Sequence, residues 1–233
     1  MRPATGAPSA LSATISGVSD AAHGGLRPAA PPLVPEVLIR QAAESTGLWE
    51  LAGGGYRSDE PPPFWAFPWA GGQALARYVL DHREAVSGRR VLDLAAGSGL
   101  VGIAAALAGA ASVRAVDSDP AAIAAVAVNA GLNGVAVTGW AGDPLDGDAG
   151  PADLVLAGDV FYSQAMAARV LRFVRRAADG GARVLVGDAH RGFLPARLFH
   201  DLGGYDVPVP PALEDTRLRR ATVYELRSRA GAN

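Results

Sequence analysis

Apolar residues follow two alternating rhythms along this 233-residue chain. Short aliphatic runs at Arg90 to Leu94, Ser112 to Val116, Val135 to Trp140, Asp153 to Ala157 and Arg183 to Val186 read as strands bounded by turn residues. Between them, Gly99 to Leu107, Asp119 to about Ala130 and Gln164 to Ala178 carry helical apolar spacing, and Asp119-Pro120 supplies an N-cap followed by proline at the first helical position. Ahead of the first strand, Ala70 to His82 reads as an amphipathic helix with Leu75, Tyr78 and Val79 on its apolar side. A last pair of strands, near Tyr205 to Val209 and Ala221 to Leu226, has no long helix between its members and reads as an antiparallel hairpin. The alternation predicts an α/β fold: a Rossmann-like, seven-stranded, mostly parallel sheet, with the antiparallel hairpin at one edge and helices on both faces.

The N-terminal part is different. Residues 1–35 are rich in Ala, Ser, Gly and Pro, carry only Arg2, Asp20 and Arg27 as charges, show no apolar period and read as a disordered tail. From Glu36, the positions Val37, Leu38, Ile39, Ala42, Ala43 and Leu48 give a rough helical stripe behind Pro35. The aromatic cluster Phe64-Trp65-Ala66-Phe67-Pro68-Trp69 follows, so residues 36–83 read as a helical segment and aromatic lid ahead of a main domain at 84–233.

Composition narrows the function classes. With 49% hydrophobic and 19% charged residues there is material for one good core. The 21 basic residues are all arginine against 23 acids, a net charge of −2, which argues against a nucleic-acid partner because backbone binding needs clustered positive charge. Cysteine is absent, which excludes disulfides, thiolate metal sites and a cysteine nucleophile, and the four histidines are scattered. The longest apolar stretch, Leu100 to Ala111, is broken by glycines and falls short of the roughly 18 residues of a membrane span, so no membrane partner is expected. Arginine without lysine, beside abundant Ala, Gly and Pro, reads as a GC-rich coding sequence of bacterial type and hence a cytoplasmic protein, taken as a monomer.

Candidate chemistry begins at Gly97-Ser98-Gly99-Leu100-Val101-Gly102, a literal G-x-G-x-x-G after a strand and opening a helix, with Asp117 twenty residues beyond Gly97. Glycines let backbone approach a nucleotide, and an acid at the end of the second strand accepts hydrogen bonds from ribose hydroxyls. A dinucleotide-dependent oxidoreductase fits the spacing. Asp93, four residues ahead of Gly97, separates the possibilities: a carboxylate there repels a pyrophosphate and welcomes the ammonium of an amino-acid tail, which favours S-adenosylmethionine. The stretch resembles the first motif of class I methyltransferases, with Ala95 standing at the usual first glycine, and Asp143 resembles the position that contacts adenine in that superfamily, though Asp-Pro is also an ordinary turn.

On the substrate side, Asp159-Val160-Phe161-Tyr162 follows a strand at its carboxyl end, where open α/β sheets bind ligands. A carboxylate that orients an amine, with Tyr162 among aromatic walls, suits methyl transfer to nitrogen; as an alternative, Asp159 caps the next helix and the rings are core. The blocks Pro63 to Tyr78, Val91 to Leu94, Gly158 to Tyr162 and Val184 to Asp188 closely resemble the electron transfer flavoprotein β-subunit lysine methyltransferase family. That resemblance implies S-adenosylmethionine as cofactor, with Trp69, Gly71, Asp93, Gly97, Gly99 and Asp117 shaping its pocket and Asp159 positioning a lysine amine of the flavoprotein β subunit. A small-molecule N-methyltransferase acting on a nicotinamide-like amine is the alternative on the same fold. Asp188 and Arg191 match a family Gly-Asp-Pro-Gly-Arg stretch in which Ala189 and His190 replace the proline and second glycine, and the role of that loop stays open.

Overall fold

The computed structural model describes residues 25–43, 62–211 and 216–227. Its centre is a seven-stranded sheet of order β5-β4-β3-β6-β7-β9-β8, where β3 is Arg90–Leu94, β4 Ser112–Asp117, β5 Thr138–Ala141, β6 Leu154–Gly158, β7 Arg183–Asp188, β8 Phe199–Pro208 and β9 Leu218–Leu226. The first five are mutually parallel, and β9 runs antiparallel between β7 and β8, so the predicted edge hairpin is present and longer than its sequence signal.

Side chains alternate across this sheet. Val91 on β3, Leu154 and Leu156 on β6, Leu185 on β7 and Val223 on β9 pack under α1 (Ala70–Asp81) and α2 (Leu100–Leu107). Their neighbours Leu92, Leu94, Val155, Ala157, Val184 and Val186 face α4 (Gln164–Asp179) on the other side. Burial on both faces is why these strands read as continuous apolar runs. The pattern also makes Asp93 an exception: it falls among inward-facing positions and is only 1% exposed. α3 (Pro120–Leu132) begins as predicted, the Asp119 carboxylate accepting from the Ala121 amide.

The N-terminal prediction needs correction. Leu26–Ala29 (β1) and Ile39–Ala42 (β2) form an antiparallel ribbon where a tail and a helix were expected, while residues 1–24 and Leu48 lie outside the described residues. Val34, Val37 and Ile39 are fully buried, whereas Leu38 between them is exposed, an alternation of period two. The ribbon's backbone is satisfied from far away instead: Asn133 Oδ1 accepts from the Leu38 amide at 2.9 Å, Asn129 Oδ1 from the Arg40 amide at 2.8 Å, and Gln73 Oε1 from the Leu33 amide at 3.2 Å.

Candidate active site

Strand order reverses direction of growth at β3 and β6, and a crevice opens at the carboxyl ends of these two strands, where open α/β sheets bind ligands. Asp93, Gly97, Trp69 and Asp159 all line it, so the structure brings the two predicted halves of the site together.

Glycines govern how the amine side is built. The first turn of α1 lies directly on the ends of β6 and β7: a Cβ on Gly71 would sit 2.5 Å from the Gly187 carbonyl oxygen and 2.7 Å from Asp159 Oδ2, and one on Gly158 would sit 2.8 Å from Gly72 Cα. Only glycine permits such an approach. Its result is that the Gly72 amide, third in α1, donates to Asp159 Oδ2 at 2.9 Å, while the Asp159 amide donates to the Gly187 carbonyl at 2.8 Å. Asp159 itself has φ of +54°, a conformation unfavourable for a residue with a Cβ and held here by those two hydrogen bonds. Its second oxygen, Oδ1, is buried and accepts no hydrogen bond; the nearest cation is Arg191, with Nε at 3.6 Å. Burial pushes the Asp159 carboxyl up to about 6, against the pull of the Arg191 charge and the Gly72 amide. Asp188, on the neighbouring strand, is also raised by burial and accepts from the His190 amide at 2.8 Å.

The nucleotide side is simpler. Asp93 Oδ2 accepts from the Gly102 amide, third in α2, at 2.8 Å, and a Cβ on Gly102 would lie 2.8 Å from the same oxygen. Burial raises Asp93 to about 7, partly offset by that amide and reinforced by the charge of Asp117. Asp117 holds the glycine loop from below, accepting from the Gly97 amide at 2.9 Å and the Asp119 amide at 3.0 Å. Gly97 and Gly99 both have positive φ, at +53° and +81°, and Ala95 at the loop's start is forced to +54°. Two desolvated acids flank the loop, and burial is the main cause that raises each. A pyrophosphate would meet two like charges there, whereas a nucleoside with a cationic tail meets complementary ones. The donor set therefore fits S-adenosylmethionine, and the dinucleotide reading of the loop loses its footing.

Two expected residues, Asp143 and Tyr162, stand apart, and so does His190 of the loop whose role was left open. Asp143 accepts from the Leu145 amide at 3.0 Å and pairs with Arg169 at 2.8 Å, which holds it well below the usual carboxylate range and away from the crevice lining. Tyr162 is 52% exposed, with its phenol raised by burial and by the Asp117 charge, and does not line the crevice. His190 hydrogen-bonds Thr222 Oγ1 at 3.0 Å and its ring lies edge-on to Tyr224, and it is not a crevice-lining residue. Sequence reasoning missed Gly72, Gly158 and Gly187 as structural parts of the site. Their clue was present: each adjoins a motif residue, and glycines facing one another across a helix and a strand mark close backbone approach.

Similarity to known proteins follows the same crevice. A family model described as ribosomal protein L11 methyltransferase (PrmA) matches residues 73–162, from the start of α1 to Tyr162. A Pyrococcus horikoshii protein provisionally assigned as an RNA methyltransferase shares the fold at a TM-score of 0.53 and 20% identity, over 78% of this chain and 96% of that one. The electron transfer flavoprotein β-subunit lysine methyltransferase of Danio rerio is 38% identical over 202 residues, 82% of this chain and 76% of the fish protein. Its Homo sapiens counterpart is 33% identical over 206 residues, 82% of this chain and 75% of the human one. Matches of that identity across so much of both partners place the chain in the electron transfer flavoprotein β-subunit lysine methyltransferase family.

Proposed function

We propose that this methyltransferase moves the methyl group of S-adenosylmethionine to the side-chain amine of a lysine in the electron transfer flavoprotein β subunit. The observation that carries the reading is Asp159: a buried carboxylate at the crevice, one oxygen fixed by the Gly72 amide and the other without a hydrogen bond. When bound, the cofactor supplies an activated methyl on a sulfonium. Asp93 answers the cationic end of that ligand, and the Gly97 loop, held by Asp117, receives its nucleoside part.

A lysine ammonium, with a reference pKa of about 10.4, must lose a proton to solvent before its nitrogen can attack, which costs about 4 to 5 kcal/mol at pH 7 if unaided. Asp159 accepts a hydrogen bond from the incoming nitrogen and fixes its direction, and pre-set orientation of this kind lowers the barrier by removing entropy before the reaction. Phe64, Phe67 and Trp69 wall the entrance, exclude water and stabilise a cation by their ring faces. Because the chain has no lysine, side-chain self-methylation on lysine cannot compete.

The test is incubation of the purified chain with methyl-labelled S-adenosylmethionine and the flavoprotein β subunit. Label on lysine Nε of that subunit is the expected result. Label confined to small amines such as nicotinamide would overturn the protein substrate.

A further inference from the structure

Arg191 is placed in an unusual position for an enzyme that must admit a cation. Its Nε lies 3.6 Å from Asp159 Oδ1, the oxygen left without a hydrogen bond, and its guanidinium lies over the Trp69 ring at 5.4 Å from the centroid. At 3.6 Å the contact is an ion pair without a hydrogen bond. It sits between two left-handed residues, His190 at φ +58° and Gly192 at φ +87°, which turn the loop after β7 so that Arg191 reaches back over the crevice. The Arg191 side chain is 24% exposed, so it borders solvent.

We propose that Arg191 is a resident stand-in for the substrate: it occupies the cation place between Asp159 and Trp69, and the lysine enters by displacing it. The proposal rests on the reading of Asp159 as the amine-receiving carboxylate. A lysine side chain ends in a cation on an apolar stem, and the place held by the guanidinium offers those same two surfaces, an acid oxygen and an aromatic face. Until substrate arrives, Arg191 keeps a buried charge compensated, which a site built on desolvated acid requires. Displacement also sets specificity. A weak competitor held locally rejects ligands that cannot offer both a cation and an apolar stem, because they gain less than they must release.

The experiment measures binding of n-butylammonium, a lysine side-chain analogue, by calorimetry on the full chain saturated with S-adenosylhomocysteine at pH 8, where Asp159 is ionised. Arg191→Ala is expected to tighten n-butylammonium binding by about three- to fivefold, the worth of a partly exposed ion pair. Arg191→Gln, closer in length but uncharged, gives the same gain, whereas Arg191→Lys keeps the competing charge and gives little. A residue that merely supports the loop would show the opposite sign, with weaker binding in both uncharged variants, and that result overturns the proposal. Asp159→Asn distinguishes its foundation: if n-butylammonium binds this variant as tightly as the wild type, the amine never met Asp159 and the reading beneath falls. If Asp159→Asn loses binding while Arg191→Ala and Arg191→Gln gain none, the displacement idea alone is wrong.

Discussion

The two buried acids of the crevice are held in the same way and left in different states. Asp93 on β3 and Asp159 just beyond β6 end adjacent parallel strands, and each accepts from the third amide of a helix, Gly102 of α2 and Gly72 of α1. Each oxygen also lies where a nearby glycine keeps space open, Gly102 for Asp93 and Gly71 for Asp159. They differ in the cation. Asp93 has none among the described residues and is raised to about 7, whereas Asp159 has Arg191 beside it and stays near 6. An acid without a partner of its own awaits a cation carried by a ligand. An acid with a resident partner can exchange one cation for another, which suits the side where substrates come and go.

The comparison breaks most sharply at the glycines. Gly71→Ala drives a Cβ into the Gly187 carbonyl, a backbone atom that cannot swing aside, and into Asp159. Overpacking of this sort costs about 1–3 kcal/mol and a misplaced positioning group costs about a hundredfold in rate. Methyl transfer should therefore collapse while S-adenosylhomocysteine still binds, as followed by turnover and calorimetry. Gly102→Ala meets Asp93 Oδ2 and Val113 Cγ1, both side-chain atoms that can give way, so its damage should be smaller and should fall on cofactor affinity.

Acidity sharpens the difference next. Since Asp159 titrates near 6 and acts ionised, kcat/KM should rise with pH as the lysine ammonium deprotonates, and below about 6 protonation of Asp159 should steepen the fall by up to about a further tenfold per unit. Cofactor affinity should weaken from about pH 7 downward as Asp93 takes up a proton, and Asp93→Asn should remove that dependence. Stability of the ligand-free protein carries the reverse sign. Asp93 is raised from 3.8 to about 7 in the fold, so its contribution is greatest below the lower value and is lost as pH rises through the upper one. Thermal melts between pH 4 and 8 on Asp93→Asn should show a flatter profile than the wild type. The smallest effect belongs to Ala95, held at φ +54° where a glycine would sit without strain. Ala95→Gly should raise Tm slightly, by no more than about 1 kcal/mol of stability, because relief of strain is offset by a freer unfolded chain.

Legibility tracked distance along the chain. Asp93, Gly97, Gly99 and Asp117 fall within one strand–helix–strand unit, and local spacing was enough to assign them to one loop. Asp159 could be picked out by its motif, but its state could not, because Gly72 lies 87 residues away and Arg191 sits on the next strand's loop. Asp143 looked like an adenine contact from its place after β5, and only α4 shows it paired with Arg169. The ribbon at the N-terminus was the largest misreading. Val37, Ile39 and Ala42 fit a helical stripe as well as an alternating one, and the asparagines that decide between them are 89 and 95 residues downstream.

Sequence by itself determined the sheet, its order of strand and helix and the placing of an acid beside the glycine loop, since apolar period, caps and close spacing act over a few residues. Tertiary structure alone decided which amide caps which carboxylate, how far burial lifts each acid and which cation stands beside Asp159. Those are properties of contacts between segments distant in the chain, and desolvation exists only once the segments have closed around the group.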